Sequence, residues 1–228
     1  MSGVVSSPVK TGAALAGPTS ARRGGRTSAR IDRTVVSGVF SLDGQDFDVD
    51  NNVWLVGDDD EVLVIDAPHR AEPILDAIGG RRVTAIVLTH GHNDHITAAV
   101  ALREATGAPI WFNPADLMFW EAVHPGALPD HPVGHCTRFS VAGTSLLSMH
   151  TPGHSPGSTS LYARDLGTVF TGDTLFCGGP GATGRSHSDK PTILHSIRSC
   201  LLTLPADTVV RTGHGEDTTV AAEVSHVR

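Results

Sequence analysis

The chain has 228 residues, 39% hydrophobic and 18% charged, which suits one large domain that buries its own core. Its formal charge of −7 divides into +5 over residues 1–33, where six Lys/Arg face the single acid Asp32, and so −12 over the remainder. An acidic body argues against binding a phosphate backbone, and the lack of any apolar run near the ~18 residues that span a bilayer argues against a membrane partner.

In chain order, residues 1–33 are rich in Gly, Ser, Ala and Arg without hydrophobic periodicity, and read as a disordered basic leader. Arg22-Arg23 is not followed by the apolar stretch of an export signal. A single catalytic domain is expected over residues 34–228. "TVVSGVFSL" and "NNVWLVG" read as strands, and "EVLVIDAP" as a buried strand ending at Asp66. "EPILDAIGG" is a short helix stopped by Gly79-Gly80, and "RVTAIVLTH" a buried strand that delivers His90. "ITAAVALREATG" reads as a helix capped by Gly107, "APIWF" as a strand and "PADLMFW" as the start of a helix.

Residues 123–143 read as a loop. "TSLLSMHTPGH", "STSLYA" and "GTVFTGDTLF" resume the strands, and "KPTILHSIRSCLLTL" is a long helix. "DTVVRTGHG" is a strand ending at His214, and "DTTVAAEVSHV" a closing helix. The class is mixed α/β. Polar clusters fall at strand ends, where loops converge over a rigid sheet. Cys136, Cys177 and Cys200 are odd in number and lack a Cys-x-x-Cys pair. That argues against disulfides and thiolate zinc sites, and points to a reducing, cytoplasmic setting.

Histidine is over-represented, with 13 residues against one tyrosine. "THGHNDH" places His90, His92, Asp94 and His95 on one turn after a strand. Four ligand-type side chains are more than one tetrahedral zinc with an open position takes from a single loop. Two metals would use them all, with His154 in "TPGHSPGS", Asp173 in "FTGDTLF" and His214 in "RTGHGED". Imidazole and carboxylate without thiolate suit zinc, with iron and manganese as alternatives. Between two such ions a bridging water becomes hydroxide near neutral pH.

The ordered set "THGHNDH", "TPGHSPGS", "GDTLF" and "GHG" resembles the metallo-β-lactamase superfamily, and within it the glyoxalase II-type hydrolases. The resemblance implies a four-layer αββα sandwich with two divalent cations at one edge. It places His90, His92 and His154 on the first metal, and Asp94, His95 and His214 on the second. Asp173 would bridge them, and Asp66 would support a ligand histidine. It further implies hydrolysis of a small-molecule thioester or related acyl ester by the metal-bridging hydroxide, with Asp94 orienting that hydroxide.

Arg185 and Cys177, in the Gly-rich loop after Asp173, are candidate substrate contacts, each with a structural alternative. The basic cluster expected of a glutathione site is not evident, so another thiol carrier is open. The segment "FWEAVHPGALPDHPVGH" is a candidate lid, in which Phe119 and Trp120 either line an apolar pocket or anchor the core. Three rival functions share the motifs. A persulfide dioxygenase-like enzyme would hold one iron on His90, His154 and Asp173. A β-lactamase-like amide hydrolase would be expected to lack Asp173. A non-catalytic metal-binding module is the third. The state of assembly, monomer or homodimer, is left open.

Overall fold

Residues of the strand Gln45–Gly57 divide by parity between two cores: Val53 and Leu55 pack to one side, Trp54 and Val56 to the other. The strand Glu61–Ile65 repeats the pattern, with Val62 and Val64 against Leu63 and Ile65. Successive strand side chains point to opposite faces, so a sheet apolar on both faces must be covered on both.

The computed structural model, which describes Met1, Gly3 and residues 28–227, meets that demand with four layers. The first sheet runs in spatial order β1 (Arg30–Leu42), β2 (Gln45–Gly57), β3 (Glu61–Ile65), β4 (Arg82–Val87), β5 (Ile110–Phe112) and β6 (His131–Pro132). The second contains β7 (Arg138–Val141), β8 (Thr144–His150), β9 (Thr159–Ala163) and β10 (Thr168–Gly172), then β13 (Val209–Thr212) and the edge β14 (Thr218–Thr219). A two-stranded ribbon, β11 (Leu175–Phe176) with β12 (Gly179–Pro180), lies outside both sheets.

Between the sheets, Trp54, Leu63, Ile65 and Val87 meet Phe139, Leu146, Leu161 and Phe170. The outer face of the first sheet is covered by α1 (Glu72–Ile78), α2 (Asn93–Ile96), α3 (Ala99–Thr106) and α4 (Leu117–Val123), through Ile74, Ile96, Leu102 and Trp120. The outer face of the second is covered by α5 (Lys190–Ser196) and α6 (Val220–Glu223), through Ile193 and Val220 on Val169 and Val210. Each fully buried side chain of this size contributes about 1.5–3 kcal/mol. The expected αββα sandwich is the fold observed.

Several boundaries differ from the sequence reading. β1 starts at Arg30, four residues ahead of Thr34, and pairs one-to-one with β2 from Arg30↔Gly57 to Leu42↔Gln45. The leader expected over residues 1–33 otherwise falls, at position 2 and positions 4–27, outside the described residues. β2 begins at Gln45 because Asp43 and Gly44, with φ of 54° and 72°, make the tight turn that right-twisted hairpins favour. The loop expected over 123–143 contains β7, which buries Phe139 and Val141 between the sheets.

The helix expected over 190–204 becomes a π-helical turn at Ile197–Leu201, where Leu202 N–H bonds Ile197 O at 2.9 Å. The expected closing helix shrinks to one turn, since Thr218 and Thr219 pair with β13. Among the described residues no helix is long and apolar enough to cross a membrane.

Candidate metal centre

β3 and β4 run parallel and end side by side, which brings Asp66 beside the turn after Val87. Asp66 sits in the left-handed region, with φ of 66°. Its carboxylate accepts Thr89 N–H at 2.7 Å, Thr89 Oγ1 at 2.9 Å and His95 Nδ1 at 2.9 Å. Thr89 donates its hydroxyl to Asp66, so the same oxygen accepts from His90 Nδ1 at 3.1 Å. The one-turn helix α2 is fixed on the strand end by Ala67 N–H to His95 O at 2.9 Å and Ala98 N–H to Ala67 O at 2.9 Å. That turn stacks Asp94 and His95 beside His92.

Two further loops complete the cluster. His154 follows β8, and its Nδ1 donates to the Ala182 carbonyl at 2.9 Å. His214 follows β13, and its Nδ1 donates to the Asp50 carbonyl at 2.9 Å. Four histidines therefore spend Nδ1 on a partner in the protein and turn Nε2 inward, which fixes tautomer and ring orientation. His92 is the reverse: its Nδ1 faces His90 Nε2 at 3.1 Å and His154 Nε2 at 3.0 Å.

The inward atoms form three groups whose members all lie within 4.8 Å of one another: His90, His92 and His154; His90, His95 and Asp173; Asp94, His95 and His214. Asp173 reaches both ends. Its Oδ2 is 3.5 Å from His154 Nε2 and 3.4 Å from His214 Nε2, and its Oδ1 is 3.3 Å from His95 Nε2. All seven residues named from the motifs are thus brought together.

The donor set fits divalent cations. Nitrogen lone pairs about 3 Å apart repel unless a proton or a cation lies between them. Asp94 Oδ1 and Asp173 Oδ1 are buried and make no hydrogen bond, a costly state for carboxylate oxygens that a bound cation and its water would relieve. Neutral imidazole and carboxylate without thiolate match zinc, iron or manganese.

Charge within the cluster is polarised. Burial, and then His154, holds His92 at about 3, and burial holds His90 well below the ordinary imidazole range. Burial also opposes charge on His214, but the Asp173 carboxylate and hydrogen bonds to Asp173 and Asp94 outweigh it and raise His214 to about 10. His95 is likewise raised despite burial, by Asp94, Asp173 and Asp66. Asp173 and Asp94 are lowered against burial by the facing histidines.

Some residues of the site were not visible in the motifs. Asn51 is fully buried, and its Nδ2 donates to Asp94 Oδ2 at 3.0 Å. Its Oδ1 pairs with His69 Nε2 at 2.8 Å, which sets which way the amide points. Asp116 lies behind the cluster, fully buried. A lone Asn in a strand, or a lone Asp after Pro, gives no signal of this in sequence. Gly213 is explained by space, since a Cβ there would stand 2.2 Å from Asp173 Oδ1.

The cluster opens into a cleft of about 590 Å³. Phe40, Val49 and Phe176 give it apolar walls, Asp50 and Glu216 stand among its lining residues, and no described Lys or Arg lines it. Cys177 lines the cleft as an exposed free thiol. Arg185 does not line it. Its guanidinium lies over the Phe47 ring at 4.6 Å and donates to Gln45 Oε1 at 3.1 Å, so it ties its loop to the β1–β2 hairpin. Phe119 packs edge-on against His92 at 5.0 Å, while Trp120 is buried in the core with Nε1 on Ala127 O at 2.9 Å.

Comparison with known proteins agrees with this geometry. The family model of the metallo-beta-lactamase superfamily matches residues 47–214. The chain is 36% identical to a probable metallo-hydrolase, YqgX, of Bacillus subtilis over 75% of its own length and 88% of the relative's. It is 33% identical to the hydroxyacylglutathione hydrolase GloC of Haemophilus influenzae over 75% and 89%. Among solved structures it resembles the B3 metallo-beta-lactamase BLEG-1, with TM-score 0.71 and 28% identity over 84% of this chain and 97% of that one. It also resembles TTHA1623 in a di-iron-bound form, with TM-score 0.69 and 32% identity over 76% and 92%.

Proposed function

This chain belongs to the metallo-β-lactamase superfamily, and on that premise we propose that it is a dinuclear metal-dependent hydrolase of a small-molecule thioester or related acyl ester. The observation that carries the reading is the reach of Asp173, whose two oxygens face His154 on one side and His95 on the other. A carboxylate in reach of both ends of the cluster supports a pair of cations over one. His90, His92 and His154 would hold the first, Asp94, His95 and His214 the second, with Asp173 between.

Bound there, the cations supply a nucleophile from water near neutral pH and charge that polarises the acyl carbonyl. The chain's own residues do the rest. Asp94 lines the cleft and presents Oδ1 as a buried acceptor without a partner, which holds and orients a proton of the attacking water. Asn51 keeps the other oxygen of Asp94 in place. The apolar walls formed by Phe40, Val49 and Phe176 receive the acyl chain and exclude bulk water. Asp50 and Glu216 favour a carrier thiol without carboxylates over glutathione, and Cys177 stands where the carrier would pass. Zinc is the expected metal, with iron as the alternative and a cytoplasmic setting.

The test is turnover by the metal-loaded protein on three substrates side by side. Release of thiol from an acyl thioester, abolished by chelation and restored by zinc, supports the reading. Oxygen uptake on a persulfide, or opening of a β-lactam, without thioester cleavage would overturn it.

A further inference from the structure

Two separate turns supply the nitrogens of the first cluster: His90 and His92 on one, His154 on the other. Between them, behind the cleft, sits Asp116 at the end of the 3-10 turn Pro114–Asp116, with no solvent exposure. Its Oδ2 accepts Gly91 N–H at 2.8 Å and Ser155 Oγ at 2.6 Å, and its Oδ1 accepts Gly157 N–H at 2.5 Å. Gly91 is the residue between His90 and His92, and Ser155 is the neighbour of His154.

We propose that Asp116 is the positioning residue of the first metal site, a buried carboxylate that locks the two ligand turns at their working separation. The proposal rests on the metal reading given above. All three neighbours donate, so only an ionised carboxylate satisfies them together; an amide would set its own N–H₂ against one of the backbone N–H groups. Burying such a charge is costly unless strong hydrogen bonds surround it, and two of the three come from backbone that cannot turn away.

The two glycines are shaped to this carboxylate. A Cβ at Gly91 would lie 2.9 Å from Asp116 Cβ, and one at Gly157 would lie 2.6 Å from Asp116 Cγ. Neither glycine has a positive φ, so close approach is the reason no side chain fits: to Asp116 alone at Gly157, and to Asp116 together with Phe119 Cβ at 2.9 Å at Gly91. The second site has a different support, the Asp66–His95 contact. Asp66 reaches the first cluster only through Thr89, which meets His90 Nδ1 at 3.1 Å, whereas Asp116 ties both turns of that cluster through two backbone N–H groups and the Ser155 hydroxyl, without touching a ligand atom.

The experiment compares full-length wild type, Asp116→Asn, Ser155→Ala and Asp66→Asn. Metal content, zinc affinity against a chelator, the cobalt absorption spectrum and the thermal midpoint of the metal-free protein are measured for each. Asp116→Asn should keep one cation at wild-type affinity and lose the other by about 10–100-fold, the range typical of outer-shell changes. Ser155→Ala, which removes one bond of three, should lose that same cation by a smaller factor. Asp66→Asn should weaken the cation on His95, its direct partner, more than the one on His90, which it reaches only through Thr89; that order is the reverse of the one in Asp116→Asn and comes with a different cobalt spectrum.

Wild-type affinity for both cations in Asp116→Asn, with only the metal-free midpoint lowered, would overturn the proposal. If Asp116→Asn does not fold, wild-type affinities in Ser155→Ala overturn it. A wild-type protein holding one cation would contradict the dinuclear reading alone; that cation is then the one whose affinity must fall.

Discussion

Asp66 Oδ2 lies 2.9 Å from His95 Nδ1, and this contact turns His95 Nε2 toward Asp94, Asp173 and His214. The same carboxylate holds Thr89, and through it His90. Replacing Asp66 by Ala therefore releases two ligand rings where Asn releases less. Metal affinity should fall in the order wild type, Asp66→Asn, Asp66→Ala, by about 10–100-fold for the first step. Titration against a chelating indicator checks it. Equal affinities in all three would remove Asp66 from the metal centre.

The metal-free protein should be most stable near the ordinary imidazole pKa. His92 is held at about 3 in the fold against 6.5 in the open chain, so it binds fewer protons folded, and stability falls as pH drops through that window. His214 is held at about 10, so it binds more protons folded, and stability falls as pH rises from 6.5 toward 10. Urea midpoints of the chelated protein across this range should pass through a maximum. Zinc loading at neutral pH must displace the His214 proton, so it should acidify a weakly buffered solution. Loading without proton release would contradict the ionic cluster.

Arg185 faces Phe47 and Gln45 rather than the cleft, while Ala182 of the same loop lines it. Ser186 N–H adds a bond to Asp43 Oδ2 at 3.1 Å. An exposed cation–π contact contributes about 0.5–1 kcal/mol, so Arg185→Ala should raise KM by roughly two- to fivefold. Metal content and kcat should stay unchanged. Loss of metal in this variant would contradict the placement of Arg185 on the hairpin.

The charge of the cleft gives a prediction about the carrier. With Asp50 and Glu216 in the lining, a thioester of a neutral thiol such as N-acetylcysteamine should surpass the matching glutathione thioester. About tenfold in kcat/KM corresponds to one like-charge repulsion of ~1.4 kcal/mol. Glu216→Gln should narrow the gap. A glutathione thioester cleaved faster by wild type would overturn this.

The seven residues of the candidate metal centre were legible in the sequence because each lies in a short polar motif directly after an apolar strand. The four-layer sandwich was legible through the resemblance those motifs carry, and the strands apolar on both faces are its physical reason. Asn51 and Asp116 were not legible. Their partners lie far along the chain, Asp94 and His214 for Asn51, Gly91 and Gly157 for Asp116, and nothing local distinguishes them from surface polar residues. The early part of β2 was hidden for a related reason. Its "QDFDVD" run carries three acids because the hairpin there extends into solvent, where burial no longer selects apolar residues. In sequence Arg185 fits a substrate contact and a structural tie alike, and only the position of Phe47 across the hairpin resolves where it points.

The most direct test is the number of cations per chain in wild type and in Asp173→Ala, measured by elemental analysis beside thioester turnover. Two divalent cations in wild type, and joint loss of metal and turnover in Asp173→Ala, are the results predicted here. One tightly held iron in wild type with no thioester cleavage, or full metal occupancy and normal turnover without Asp173, would contradict the account.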